Sequence, residues 1–145
     1  MSWPTVQINQ VNQLQGETNE IERVVLFVGL GTGKDKIAKT VPVNTQSDLD
    51  ALLGDADSVL KRTVNAAMLN AGQNWSGFIC ILPKDAPAEG MDTVWTDAVK
   101  AAQQVASVEG VVLTLGATQD TIAAAASLRA ELIAKFGRWV WLILA

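Results

Sequence analysis

The feature that most constrains the fold is a regular alternation of short apolar runs with amphipathic stretches, which begins at Val24. The apolar runs have the length and residue types of β-strands, and five are predicted: Val24–Leu30, Lys39–Val43, Phe78–Leu82, Val111–Leu115 and Trp139–Leu144. Strands that alternate with helices usually pair in parallel, because the intervening helix carries the chain back. Residues 23–145 are therefore predicted to form an α/β three-layer sandwich with a mostly parallel central sheet of about five strands flanked by helices.

Capping residues mark the predicted helix boundaries. Ser, Thr and Asp side chains can accept hydrogen bonds from the free amides of a first turn, and the predicted starts are Ser47, Asp55 or Asp57, Asp92, and Thr118 or Asp120. Glycine commonly follows a last turn, and the predicted ends are Gly54, Gly72 and Gly137. The last helix is predicted to bury an apolar stripe formed by Ile122, Ala125, Leu132 and Phe136.

The composition excludes several kinds of site. The 145 residues include no histidine, no tyrosine and one cysteine, so zinc sites of His and Cys, disulfides and histidine catalysis are excluded. Cys80 lies in an apolar run and is predicted to be a small buried hydrophobe. We expect no catalytic residue, no cofactor and no metal. The net charge of −4 argues against nucleic acid, and no apolar run reaches the about 20 residues that membrane insertion requires.

Residues 1–22 form a polar, amide-rich segment that is predicted to be an extended amino-terminal arm. Thr5–Asn12 alternates apolar and polar residues, as a half-buried strand does. Its apolar side chains are few, namely Val6, Ile8 and Val11. Such a strand is marginal alone, so it either pairs with the edge of another sheet, pairs within its own subunit, or remains a disordered tail.

Gly29, Gly31, Gly33 and Lys34 follow the first apolar run and suggest a phosphate-binding loop. The spacing does not fit: the first glycine of a Walker motif would fall at Val28, and its magnesium-binding hydroxyl at Asp35. In the dinucleotide motif, Lys34 stands where the third glycine belongs. Both motifs also need a helix directly after the loop, whereas the residues that follow are strand-like. We interpret the loop as a surface connection, with an anion-binding or nucleotide-binding loop as the alternative.

The end of the chain is unusual for a domain. Trp139 and Trp141 are predicted to point to the same side of the last strand and to lie in the core, with an exposed interface position as the alternative. The chain stops directly on this apolar strand, so we expect it to be the amino-terminal part of a longer protein.

The order of these signals over residues 21–82 resembles the amino-terminal part of contractile-tail sheath proteins, notably those of Mu-like bacteriophages and of related contractile injection systems. Ser47–Gly54 is similar to the family's short segment that begins with serine and ends with glycine. Ala66–Gly72 is similar to the end of the next helix, with Ala71 in place of a glycine, and Ser76–Leu82 stands where the family has an apolar strand.

The resemblance implies a structural subunit that polymerises around the tail tube and contracts to drive the tube through the host envelope. It implies copies of the same subunit, the tail tube protein, and baseplate and tail terminator proteins as partners. It places the protein in the virion tail, after assembly in the bacterial host cytoplasm. In such sheaths extended arms add strands to neighbouring sheets, a role that suits Val6, Ile8 and Val11.

Overall fold

The computed structural model describes residues 24–32, 37–73, 75–84 and 88–145. The predicted amino-terminal arm, with Val6, Ile8 and Val11, lies outside these residues, as do Gly33 and Lys34 of the glycine loop. The strands are β1 (Val25–Leu30), β2 (Thr40–Asn44), β3 (Ser76–Leu82), β4 (Gly110–Leu113) and β5 (Trp141–Leu144). The α-helices are α1 (Leu49–Leu53), α2 (Val59–Ala71), α3 (Met91–Val105) and α4 (Gln119–Phe136), and a short 3₁₀ helix, Ala88–Gly90, precedes α3.

The five strands form one sheet in the order β2-β3-β1-β4-β5. β1 lies at the centre, where Val28 is in register with Cys80 of β3 and with Leu113 of β4. β5 is parallel to β4 and forms one edge, whereas β2 is antiparallel to β3 and forms the other. The α/β class with helices on both faces is confirmed.

The expectation of a mostly parallel sheet needs correction, because the sheet is mixed. Residues 31–39 connect β1 to β2 and are too few for a crossover helix, since parallel neighbours need a connection of about a dozen residues or more. The chain therefore turns at the end of β1 and returns along the outer side of β3 in the opposite direction.

The sheet separates two apolar cores. On one face α3 and α4 pack on β1, β3 and β4, and the largest fully buried side chain is Trp95, whose Nε1 donates to Asp92 Oδ1 at 2.9 Å. On the other face α1 and α2 cover Phe27, Ile79 and Ile81 with buried leucines and Val64. Successive strand residues point to opposite faces, so each buried strand supplies both cores, which explains the continuous apolar runs in the sequence.

Two helices are capped by a side chain close to the predicted residue, one position away for α1 and one or three positions away for α2. Asp48, rather than Ser47, caps α1 by accepting from the amides of Asp50 and Ala51. Ser58, rather than Asp55 or Asp57, caps α2 by accepting from the Lys61 amide at 3.1 Å. In both cases the capping residue directly precedes the first helical residue and has an extended backbone conformation.

Among the other boundaries, Asp92 does not cap α3, which begins at Met91 after Gly90 and has no side-chain cap. The Asp92 carboxylate is instead engaged by the Trp95 indole. Thr118 caps α4 as predicted, and Gly54, Gly72 and Gly137 end their helices. No helix in the described ranges is long and apolar enough to span a membrane.

Candidate assembly surfaces

The sheet edge at β5 exposes large apolar side chains. Trp141 and Ile143 are in register with Gly110 and Val112 and lie on the face of the sheet that α2 covers. α2 packs against β1, two strands away, and leaves Trp141 43% and Ile143 47% exposed. The alternate residues of β5 pack partly buried against the opposite core. This edge therefore has one covered face and one apolar face open to solvent.

Trp141 has a defined position because Gly110 has no side chain. A Cβ atom placed at Gly110 would collide with the Trp141 indole ring, which lies directly over this residue. The backbone amide of Trp141 donates to the carbonyl of Glu109 at 3.0 Å. Successive amides of a strand point to opposite edges, so the amides of Leu142 and Leu144 point to the open side of β5.

Trp139 precedes β5 and is 72% exposed. The guanidinium carbon of Arg129, on α4, lies 6.0 Å from the centroid of the Trp139 ring, within the range of a cation–π contact. The prediction that Trp139 and Trp141 lie in the core is wrong, as is the predicted burial of Ile122 and Phe136. Ala125 and Leu132 are buried as predicted, and Leu128 completes the buried apolar stripe of α4.

The opposite edge of the sheet is less suited to pairing with a further strand. β2 contains Pro42, which is paired with Phe78 and is exposed. Proline has no amide hydrogen and is tolerated in sheets where its nitrogen faces away from the neighbouring strand. A strand added beside β2 would therefore find no amide donor at Pro42, in the middle of that edge. β5 instead presents apolar residues and outward-pointing amides.

A second surface feature is a cleft between α1 and α2. It has a volume of about 430 Å³ and is lined by Ser47, Asp48, Leu49, Asp50, Asp57, Lys61, Arg62, Asn65 and Met68. Lys61 forms an ion pair with Asp50, and Arg62 Nε lies 3.4 Å from Asp57 Oδ2. Capping and these pairs account for Asp48, Asp50 and Asp57, whereas the exposed Asp55 takes part in neither. The described part of the chain contains no group of three or more acidic or cysteine side chains placed to hold a metal ion.

The two described glycines of the candidate phosphate loop are required by packing. A Cβ atom at Gly29 would collide with Thr114 Oγ1 and lie 3.0 Å from the Leu60 Cβ. At Gly31 it would lie 3.0 Å from Ile81 Cγ2. Thr32, the next residue, donates from Oγ1 to the Leu53 carbonyl at 2.8 Å and so ties the end of β1 to α1.

The loop does not lead into a helix. Ile37 forms an isolated bridge to Ile81, and the first element after β1 is the strand β2. A helix amino terminus directed at a phosphate is the common element of both nucleotide motifs. The described residues of this loop thus act as structural packing, and the role of Lys34 stays a prediction.

Cys80 is buried at the centre of the sheet, in register with Val28 and Thr40. Burial raises the pKa of its thiol from 9.0 to about 11. The thiolate, which is the reactive form, is therefore scarce near neutral pH. This agrees with its predicted role as a small apolar residue.

Two features were missed by the sequence reasoning. Thr114 donates from Oγ1 to the carbonyl of Val28, 86 positions away, at 3.0 Å, and occupies the space that Gly29 leaves. The stacking of Arg129 on Trp139 joins α4 to the start of β5. The sequence showed only a glycine at position 29 and a tryptophan at position 139, and neither residue type identifies its partner.

Comparison with known proteins links this domain to phage tails. Residues 3–145 match the family model described as DUF2586, N-terminal domain. The chain is 46% identical over 145 residues to a protein of Haemophilus phage HP1 (strain HP1c1) named "Putative tail sheath protein". The alignment covers 99% of the chain and 36% of the relative, so the chain spans about a third of that protein's length. No solved structure matches the chain significantly.

The resemblance to phage tail sheath proteins that the sequence suggested is confirmed by this similarity. The match to the family model extends over nearly all of the five-stranded domain described above. The chain belongs to the DUF2586 family, in the region described as its N-terminal domain.

Proposed function

We propose that this chain is part of the structural subunit of a phage contractile tail sheath. The observation that carries this proposal is the 46% identity, over nearly the whole chain, with the tail sheath relative from phage HP1. Subunits would polymerise around the tail tube in an extended helical lattice and slide into a shorter, wider one. Contraction would drive the tube through the host envelope.

The surface of the domain supports a role in assembly. Large apolar side chains remain exposed at β5, and clustered exposed apolar groups commonly mark interaction sites. The energy for contraction would come from repacking of subunit faces, with the arms as tethers between them. Val6, Ile8 and Val11 would set the register of an arm strand on a neighbouring sheet.

The role is structural and without catalysis. The chain has no histidine, and burial suppresses the reactivity of Cys80. The partners would be further copies of the subunit, the tail tube protein, and baseplate and tail terminator proteins. Assembly would take place in the bacterial host cytoplasm, and the mature protein would belong to the virion tail.

Electron microscopy of the full-length gene product, produced in a bacterial host with and without the tube protein, tests this proposal. We expect tubes with a helical repeat. Replacement of Val6 and Ile8 by serine should reduce tube formation, because two of the three apolar contacts of the arm are lost. The matched control replaces Gln7 and Asn9 by serine on the other side of the same segment. Complete absence of tubes from the unaltered protein would count against a sheath.

A further inference from the structure

A helical polymer of one subunit needs two different, complementary surfaces, because a contact between identical patches closes into a dimer. Arms can tether subunits, but the globular domains also need a contact of their own. The contact that we assign to these domains rests on the proposed function. One half lies beside the edge strand β5, and the other lies between α1 and α2.

The first surface is a projecting aromatic and cationic unit. Trp139 is the second most exposed of the large apolar side chains described, after Leu69, and Arg129 lies over its ring. Neither Arg129 nor the adjacent Arg138 forms an ion pair with any carboxylate in the described ranges. The Trp139 indole and the Arg129 guanidinium therefore face solvent, with the half-buried Arg138 beside them, and neither arginine has a carboxylate partner among the described residues.

The second surface is the cleft between α1 and α2. Its lining combines apolar atoms of Leu49 and Met68 with three carboxylates, Asp48, Asp50 and Asp57, and two cations. The cleft thus has an excess of negative charge, and the exposed Asp55 adds to it from the connecting loop. Its volume of about 430 Å³ falls in the range of about 300–1,000 Å³ that is typical of clefts that bind organic ligands, so an indole ring can enter.

We propose that Trp139 and Arg129 of one copy dock into the α1–α2 cleft of the next copy. The Trp139 ring contacts Leu49 and Met68, and the Arg129 guanidinium faces Asp57. Tryptophan and arginine are the residues that most often dominate protein interfaces, particularly where they fill a pocket. The positive unit and the negative cleft are complementary in charge, and each copy can use both surfaces at once. Successive copies then form an open chain.

A charge exchange between two variants of the chain tests the pairing. Arg129→Glu makes the projecting unit repel the native cleft, and Asp57→Arg makes the cleft repel the native unit. Each variant alone should therefore self-associate at least about tenfold more weakly than the unaltered chain in sedimentation equilibrium. When the two variants are mixed, the altered unit faces the altered cleft and the native unit faces the native cleft. Association should then return, and high salt should weaken it.

Lys84→Glu is the matched control, because it makes the same charge change at an exposed lysine outside both surfaces. It should leave association unchanged, and circular dichroism should show that all three variants are folded. The proposal would be overturned if Arg129→Glu self-associated as strongly as the unaltered chain. It would also be overturned if the mixed variants stayed monomeric. An unaltered chain that stays monomeric at millimolar concentration would contradict it as well.

The outcomes separate this inference from the proposed function. If the full-length Arg129→Glu protein still forms tubes as readily as the unaltered one, the subunit is a sheath protein that uses another contact, and the inference fails alone. If the mixed variants associate but the full-length protein forms no tubes, the contact is real and the sheath role is wrong.

Discussion

At the scale of single residues, the clearest result concerns Gly29. It stands in a glycine-rich stretch that suggests a phosphate loop, yet it is buried in β1 between Thr114 and Leu60. Thr114, which directly follows β4, donates from Oγ1 to the Val28 carbonyl of the neighbouring strand β1. Helix α2 packs on β1 at the same point. The missing side chain leaves room above β1 for the Thr114 hydroxyl and for Leu60 of α2.

Gly29→Ala should therefore destabilise the domain by about 1–3 kcal/mol, the usual cost of forcing an extra methyl group into a packed core. Thr114→Ala should cost about 1 kcal/mol by itself, because a buried hydrogen bond is lost. In the double variant the collision with the Thr114 hydroxyl is gone, so its free energy of unfolding should exceed the value expected from adding the two single effects. Urea denaturation followed by circular dichroism measures all four proteins. Strict additivity would show that Thr114 is not the cause of the constraint.

At the scale of elements, helix starts depend on backbone geometry as well as on residue type. Asp55, Asp57 and Ser58 are all competent capping residues within one short segment. Only Ser58 has extended backbone directly before Val59 with its hydroxyl placed to accept from Lys61. Asp57 instead forms a solvent-exposed ion pair with Arg62.

Ser58→Ala should thus lower the free energy of unfolding by about 1 kcal/mol, because the first turn of α2 loses its side-chain acceptor. Asp57→Ala is the matched control and should change stability by no more than about 0.5 kcal/mol, since exposed ion pairs contribute little. Urea midpoints at low protein concentration give both values. A larger loss of stability in Asp57→Ala than in Ser58→Ala would show that Ser58 is not the residue that caps α2.

At the scale of the whole molecule, the arrangement of the sheet argues against nucleotide binding. In open α/β sheets ligands usually bind beyond the carboxyl ends of strands, where a helix amino terminus meets a glycine loop. Here β1 is followed by the antiparallel edge strand β2, and Thr32 is held by α1. The space near Gly29 and Gly31 is occupied by side chains from the core.

We therefore expect ATP, GTP and NAD to leave the melting temperature of the chain unchanged, because only a ligand that binds the folded state raises it. Differential scanning fluorimetry over a wide range of ligand concentration is the measurement. A clear rise in melting temperature that disappears in Lys34→Ala would restore the anion-binding interpretation of the loop. Lys39→Ala is the control for the loss of a nearby positive charge.

Some features followed from the sequence alone. The alternation of apolar runs and amphipathic stretches determined the α/β class and all five strands, because backbone geometry imposes periods of 2.0 and 3.6 residues on side chains. Thr118 and the three helix-ending glycines were predicted correctly, since capping uses atoms only a few residues apart. The absence of histidine and the resemblance over residues 21–82 could also be recognised from the sequence without a structure.

Only the tertiary structure decided which apolar residues are covered. Trp141 and Ile143 belong to a run as apolar as β1, yet they lie at an edge that α2 does not reach. The direction of β2 and the partner of Gly29 likewise depend on residues far away in the chain. Periodicity and capping are local, whereas burial, strand direction and close approach depend on which elements become neighbours. That is why the sequence alone indicated the layers of this domain, and the fold was needed to identify its exposed surfaces.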